Sequence, residues 1–81
     1  MEIKVLFFAS YREKTGIKSD YFEINPGATL GDLIQIISRR FPNIKTDTSK
    51  IVAAINEEFC GHNTVLEPEN IVALIPPVSG G

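Results

Sequence analysis

The chain has 81 residues, 43% of them hydrophobic and 22% charged, with a formal net charge of −2. A single domain of this size builds a small core with little room for a deep substrate pocket, which argues against a self-sufficient enzyme. The acidic balance and the lack of a basic stripe interleaved with aromatics disfavour nucleic acid as a partner. The single cysteine, Cys60, excludes an internal disulfide and suits a reducing compartment.

Residues 2–8 are strongly β-forming, with Ile3, Val5 and Phe7 alternating against Lys4, Leu6 and Phe8. No basic leader and no long apolar stretch accompanies this strand, so the expectation is a cytoplasmic protein without a membrane span. Residues 10–16 are polar and few, which predicts a turn or a single helical turn closed by Gly16. In residues 18–24, Phe22 and Ile24 fall on one face and Tyr21 and Glu23 on the other, as in the second arm of a hairpin.

Asn25-Pro26-Gly27 breaks that strand. Thr29 then reads as a helix N-cap, with Asp32 three residues on in a capping-box position. Leu30, Leu33, Ile34, Ile37 and Phe41 form one apolar stripe at helical spacing, ended by Pro42, and Arg39 and Arg40 lie where cations favour the helix dipole. Residues 51–55 and 71–75 are continuous apolar runs between polar turns and predict two central strands.

If one helix covers one face of this sheet, the other face retains apolar side chains. The expected exposed set is Leu6, Phe8, Val52, Val72 and Leu74, a patch suited to a protein partner. Charge is also uneven along the chain: all eight basic residues lie in the first fifty positions. From Ile51 onward only Glu57, Glu58, Glu67 and Glu69 are charged, which suggests a basic partner for the segment leading into the C-terminus. Cys60-Gly61-His62 offers two metal ligands at most, even with Glu57 and Glu58 nearby, so the expectation is no metal site, with Cys60 as a part-buried filler and His62 as a loop polar group.

Residues 76–81 predict a flexible, extended tail on a domain of residues 1–75. Pro76 and Pro77 fix φ and lack amide donors, which ends strand pairing and throws the tail clear of the sheet. Six extended residues reach roughly 20 Å, far enough to place Gly81 inside a partner's active site. Gly80 and Gly81 have no Cβ and fit a channel one backbone wide. The terminal carboxylate of Gly81 is a poor acyl donor, so chemistry there requires another protein to activate it.

The order strand, strand, helix, strand, strand with a diglycine tail resembles the β-grasp, or ubiquitin-like, α+β fold. That fold is a mixed sheet of four to five strands covered on one face by one main helix. Within it the chain resembles the small-subunit family of molybdopterin synthase. The resemblance rests on Phe7-Phe8-Ala9 with Arg12-Glu13 and Gly16, on Ala54-Ile55-Asn56-Glu57-Glu58, and above all on Val72-Ala73-Leu74-Ile75-Pro76-Pro77-Val78-Ser79-Gly80-Gly81. It departs from the family at Glu67-Pro68-Glu69-Asn70 and in the Cys60-Gly61-His62 loop.

The resemblance implies a sulfur carrier in molybdenum cofactor biosynthesis. A ubiquitin-activating-like enzyme would use ATP to adenylate Gly81, and a sulfur donor would convert it to a thiocarboxylate. The large synthase subunit would then take the tail, through Pro76, Pro77, Val78 and Ser79, and pass the sulfur to cyclic pyranopterin monophosphate. The chain itself would bind no cofactor. Two other functions share the same tail: a thiamine-pathway sulfur carrier, less favoured by Pro76-Pro77-Val78-Ser79, and a protein modifier joined to target lysines through Gly81.

Overall fold

The fold follows from which side chains each strand turns inward. The structure, a computed structural model, describes residues 1–76. Strand β1 (Glu2–Phe7) buries Ile3, Val5 and Phe7 completely and directs Lys4 and Leu6 to the opposite face, as the period of two requires. Helix α1 (Ala9–Thr15) follows at once and closes on Gly16. That residue takes a left-handed conformation (φ 78°), and its amide donates to the Arg12 carbonyl. The expected turn is therefore a two-turn helix, held by the buried Tyr11.

Strand β2 (Ser19–Glu23) runs antiparallel to β1, with Ile3 opposite Phe22 and Leu6 opposite Ser19. Phe22 and Ile24 are buried and Tyr21 is exposed, as the alternation predicted. Helix α2 (Leu30–Arg40) starts on the predicted capping box: the Asp32 amide donates to Thr29 Oγ1 at 3.2 Å and the Thr29 amide to Asp32 Oδ2 at 2.9 Å. Its stripe of Leu30, Leu33, Ile34 and Ile37 is buried in the core. Phe41 extends the stripe by packing edge-on against Phe7 and Phe22. Arg40 anchors the far end of the helix to β2, with its guanidinium 4.1 Å over the Phe22 ring and bonded to the Tyr21 carbonyl.

A 3-10 turn (Thr48–Lys50) leads into β3 (Val52–Ile55), which pairs antiparallel with both β4 (Glu58–Cys60) and β5 (Ile71–Ile75). The three-residue strand β4 is too short to be read as a strand from sequence. A tight turn creates it, with Asn56 (φ 49°) and Glu57 (φ 74°) both at positive φ, the geometry that matches the twist of a two-residue hairpin. Asn56 also fixes the turn to β5, because its Oδ1 accepts from the Ile71 amide at 2.8 Å.

The sheet order is β2-β1-β5-β3-β4, with β1 and β5 parallel at the centre. The inward residues of the strands and the α2 stripe form a single core cluster. A mixed sheet with one main helix on one face is the β-grasp arrangement that the sequence led us to expect. No helix among the described residues is long and apolar enough to cross a membrane.

Two substitutions test these local assignments. Thr29→Ala removes one half of the capping box and is expected to lower the unfolding free energy by about 1 kcal/mol in a urea titration. Glu57→Gly relieves a side chain at positive φ and is expected to raise it by about 0.5–1 kcal/mol in the same assay.

Candidate functional site

The sheet face away from α2 carries the candidate site. Register decides its membership: Leu6 lies beside Ala73, Ala73 opposite Ala54, and Ala54 opposite Phe59, so these four form one outward row across β1, β5, β3 and β4. Val52 and Ile75 form the next row on one side, and Lys4 and Ile71 the next on the other. Ala73 and Ala54 are small and sit in the middle, while Leu6, Phe8, Phe59, Ile71 and Ile75 stand around them. The result is a shallow apolar depression of ≈ 580 Å³, with Asn56 and Glu57 on its rim. Phe59 is 72% exposed, and Phe8, Val52 and Ile71 are each at least 40% exposed. Side chains of this size are normally withdrawn from water, so their grouping on one face marks an interaction surface.

The sequence placed Leu6, Phe8 and Val52 on this face, and the structure does too. Val72 and Leu74, expected beside them, are instead completely buried against α2. The parallel register sets Val72 level with Val5 and Leu74 level with Phe7, both inward residues, and so turns Ile71, Ala73 and Ile75 outward. Every residue of 71–75 is apolar, so the sequence held no alternation from which to choose the parity. Sequence reading also missed Phe59, whose only signal was the Asn56-Glu57 turn that folds it back onto Ala54.

Pro76 follows Ile75 at the Phe8 end of this face. The expectations for Pro77, Val78, Ser79, Gly80 and Gly81 lie outside the described residues. Cys60 and His62 are placed away from the depression. Cys60 lies opposite the inward Ala53, packs against the core and bonds the Glu58 carbonyl through its thiol at 3.3 Å. His62 Nε2 lies 2.7 Å from the Ile51 carbonyl oxygen. Among the described residues that line the depression, the one titratable side chain is Glu57, on the rim, and the rest of the lining is almost wholly apolar.

A family model, described as the ThiS family, matches residues 5–81. The chain belongs to the ThiS family. Among its relatives, this ThiS-family chain is 37% identical to the molybdopterin synthase sulfur carrier subunit of Chlamydomonas reinhardtii over 100% of both chains. It is 35% identical to the protein of the same name from Arabidopsis thaliana, over 100% of this chain and 84% of the relative. Among solved structures, it is similar to a chain in the protein-protein complex of subunits 1 and 2 of molybdopterin-converting factor from Helicobacter pylori 26695. That match has a TM-score of 0.70, 26% identity and 100% coverage of both chains. Homology thus joins this chain to sulfur carrier subunits.

The face assignment is testable by stability alone. Leu74→Ala should cost about 2–5 kcal/mol, as for a fully buried leucine, whereas Phe59→Ser should change the unfolding free energy by less than about 0.5 kcal/mol. Equal costs in urea titrations would mean that the two faces have been assigned wrongly.

Proposed function

We propose that this chain is the sulfur-donating small subunit of a molybdopterin synthase. The observation that carries the proposal is the exposed apolar face at whose Phe8 end the C-terminal segment begins, on a chain homologous throughout to sulfur carrier subunits. Gly81 is the working residue. Its carboxylate attacks the α-phosphate of ATP on an adenylating enzyme and expels pyrophosphate, giving an acyl adenylate. A hydrosulfide-equivalent donor then displaces AMP and leaves a thiocarboxylate. The sulfur is nucleophilic in that form, and the large subunit presents it to cyclic pyranopterin monophosphate.

The division of labour follows from size. This chain supplies reach and a docking face, and the large subunit supplies the pterin pocket and any general acid or base. ATP is consumed on the adenylating enzyme, and the chain itself binds no cofactor. Gly80 gives the tip its slimness, and Pro76, Pro77, Val78 and Ser79 bind within the partner's channel. Ordering residues 77–81 costs about 5–10 kcal/mol of backbone entropy, somewhat less for the proline. Burying roughly 200–400 Å² of apolar surface offsets that. Phe8, Phe59 and Ile71, with Leu6 and Ile75, provide area of that order. The reading assigns the reaction to the cytoplasm, where the free Cys60 thiol is at home.

The test is the intact mass of the chain, with no C-terminal tag, after incubation with the adenylating enzyme, ATP and sulfide. Replacement of one carboxyl oxygen by sulfur is expected. Deletion of Gly81 should abolish both that mass shift and sulfur transfer while leaving the urea midpoint unchanged. Undiminished sulfur transfer by the deletion variant would overturn the mechanism. Gly81 found joined to lysines of other proteins, without thiocarboxylate, would move the function to protein modification.

A further inference from the structure

Folding rearranges the charge of this chain. Along the sequence only acids follow Ile51 among the charged residues, but in the sheet, apart from Lys4 beside Ile71, the charges separate by strand end. At one end of the strands lie Glu2 at the start of β1, Glu23 at the end of β2, Glu57 and Glu58 at the β3–β4 turn, and Glu69 just before β5. At the other end, where β5 finishes at Ile75 and Pro76 follows, the flanking charges are basic. The Lys18 carbonyl accepts from the Phe7 amide at 2.8 Å, which places Lys18 on the β2 side of the exit. Arg12, on α1, donates through Nε to the Phe7 carbonyl at 3.4 Å, which places it at the end of β1. Lys50 stands two residues before Val52, which is paired with Ile75, and so lies on the β3 side.

Arg12, Lys18 and Lys50 therefore bracket the root of the tail, and all three are exposed. None takes part in the ion pairs among the described residues, which are Met1 with Glu23 and Arg40 with Asp20. Besides Asp20, which Arg40 pairs at 3.3 Å, two acids lie close to this end in the chain. Glu13 is on α1. Asp47, bonded by the Ser49 hydroxyl and amide and close to Lys50, has its carboxyl held below the usual carboxylate range. The balance of these five groups is still positive.

We infer that this basic collar docks on an acidic rim around the mouth of the channel that receives the tail, in the large subunit and in the adenylating enzyme alike. The inference rests on the sulfur-carrier reading and names the surface chemistry of its partners. The collar meets protein rather than the reacting anions. The five residues beyond Pro76 can span about 17 Å, so a phosphate-bearing substrate at Gly81 is reached by the tip while the root stays at the mouth. Complementary charge at that point orients the approach and raises the association rate before any apolar contact forms. The basic partner that chain order alone suggested is replaced by an acidic one, because the late acids occupy the strand ends opposite the tail.

The experiment measures association of the untagged chain with each partner by stopped flow, at about 20 and 300 mM salt. It compares the native chain with a Lys18→Glu, Lys50→Glu double variant, and circular dichroism melting confirms that the variant folds. At low salt the double variant should associate at least tenfold more slowly, and the difference should shrink at high salt. Association within twofold of the native rate, or faster, would overturn the collar and leave the sulfur-carrier reading standing. If the native chain binds neither partner and gains no sulfur, that reading fails and the collar with it.

Discussion

The parallel pairing of β1 with β5 is the constraint on which the rest of this structure depends. It joins the first strand to the last and sets Val5 beside Val72 and Phe7 beside Leu74, so that four fully buried side chains line the centre of the core. The stripe of α2 closes over them, and the apolar area removed from water at that contact is the main driving force for folding. The same register turns Leu6, Ala73 and Ile75 outward. It also makes the chain leave the sheet beside Phe8, at the edge of the apolar depression. Packing and function are fixed by one choice of alignment.

The two faces of the sheet serve different ends. The inner face is filled by branched and aromatic side chains, as a close-packed interior requires. The outer face has alanines at its centre and large apolar groups around them, which leaves the shallow depression between Leu6 and Phe59. Small residues there leave the sheet stable, because strand pairing and the inner face already hold it. The Asn56-Glu57 turn accepts two residues at positive φ to bring Phe59 back over Ala54, and the Asn56 side chain holds the turn against β5. Backbone strain of this kind persists only where the surroundings over-determine it.

Much of this was legible in the residues. The alternation in β1 and β2 sorted the side chains onto two faces, and the capping box and the stripe ending at Pro42 located α2. Three features were not legible. Residues 10–16 read as a turn because their helical signal is short, and it is the burial of Tyr11 that sustains α1. The strand β4 has only three residues and exists because a turn pairs it with β3. Val72 and Leu74 were assigned to the wrong face because a wholly apolar strand has no period to read.

The sequence by itself determined the class of fold and its family, through local patterns that need no partner in space: strand alternation, helix capping and the run from Val72 to Gly81. Only the tertiary structure decided which face of β5 is buried and which charges surround the exit of the tail. Both depend on alignment between strands far apart in the chain. A shift of one residue in that alignment would exchange the two faces, and no local pattern within β5 records it. Charge shows the same dependence: the acids late in the chain lie at the strand ends opposite Pro76 because the β3–β4 turn and the start of β5 fall at the same end of the sheet.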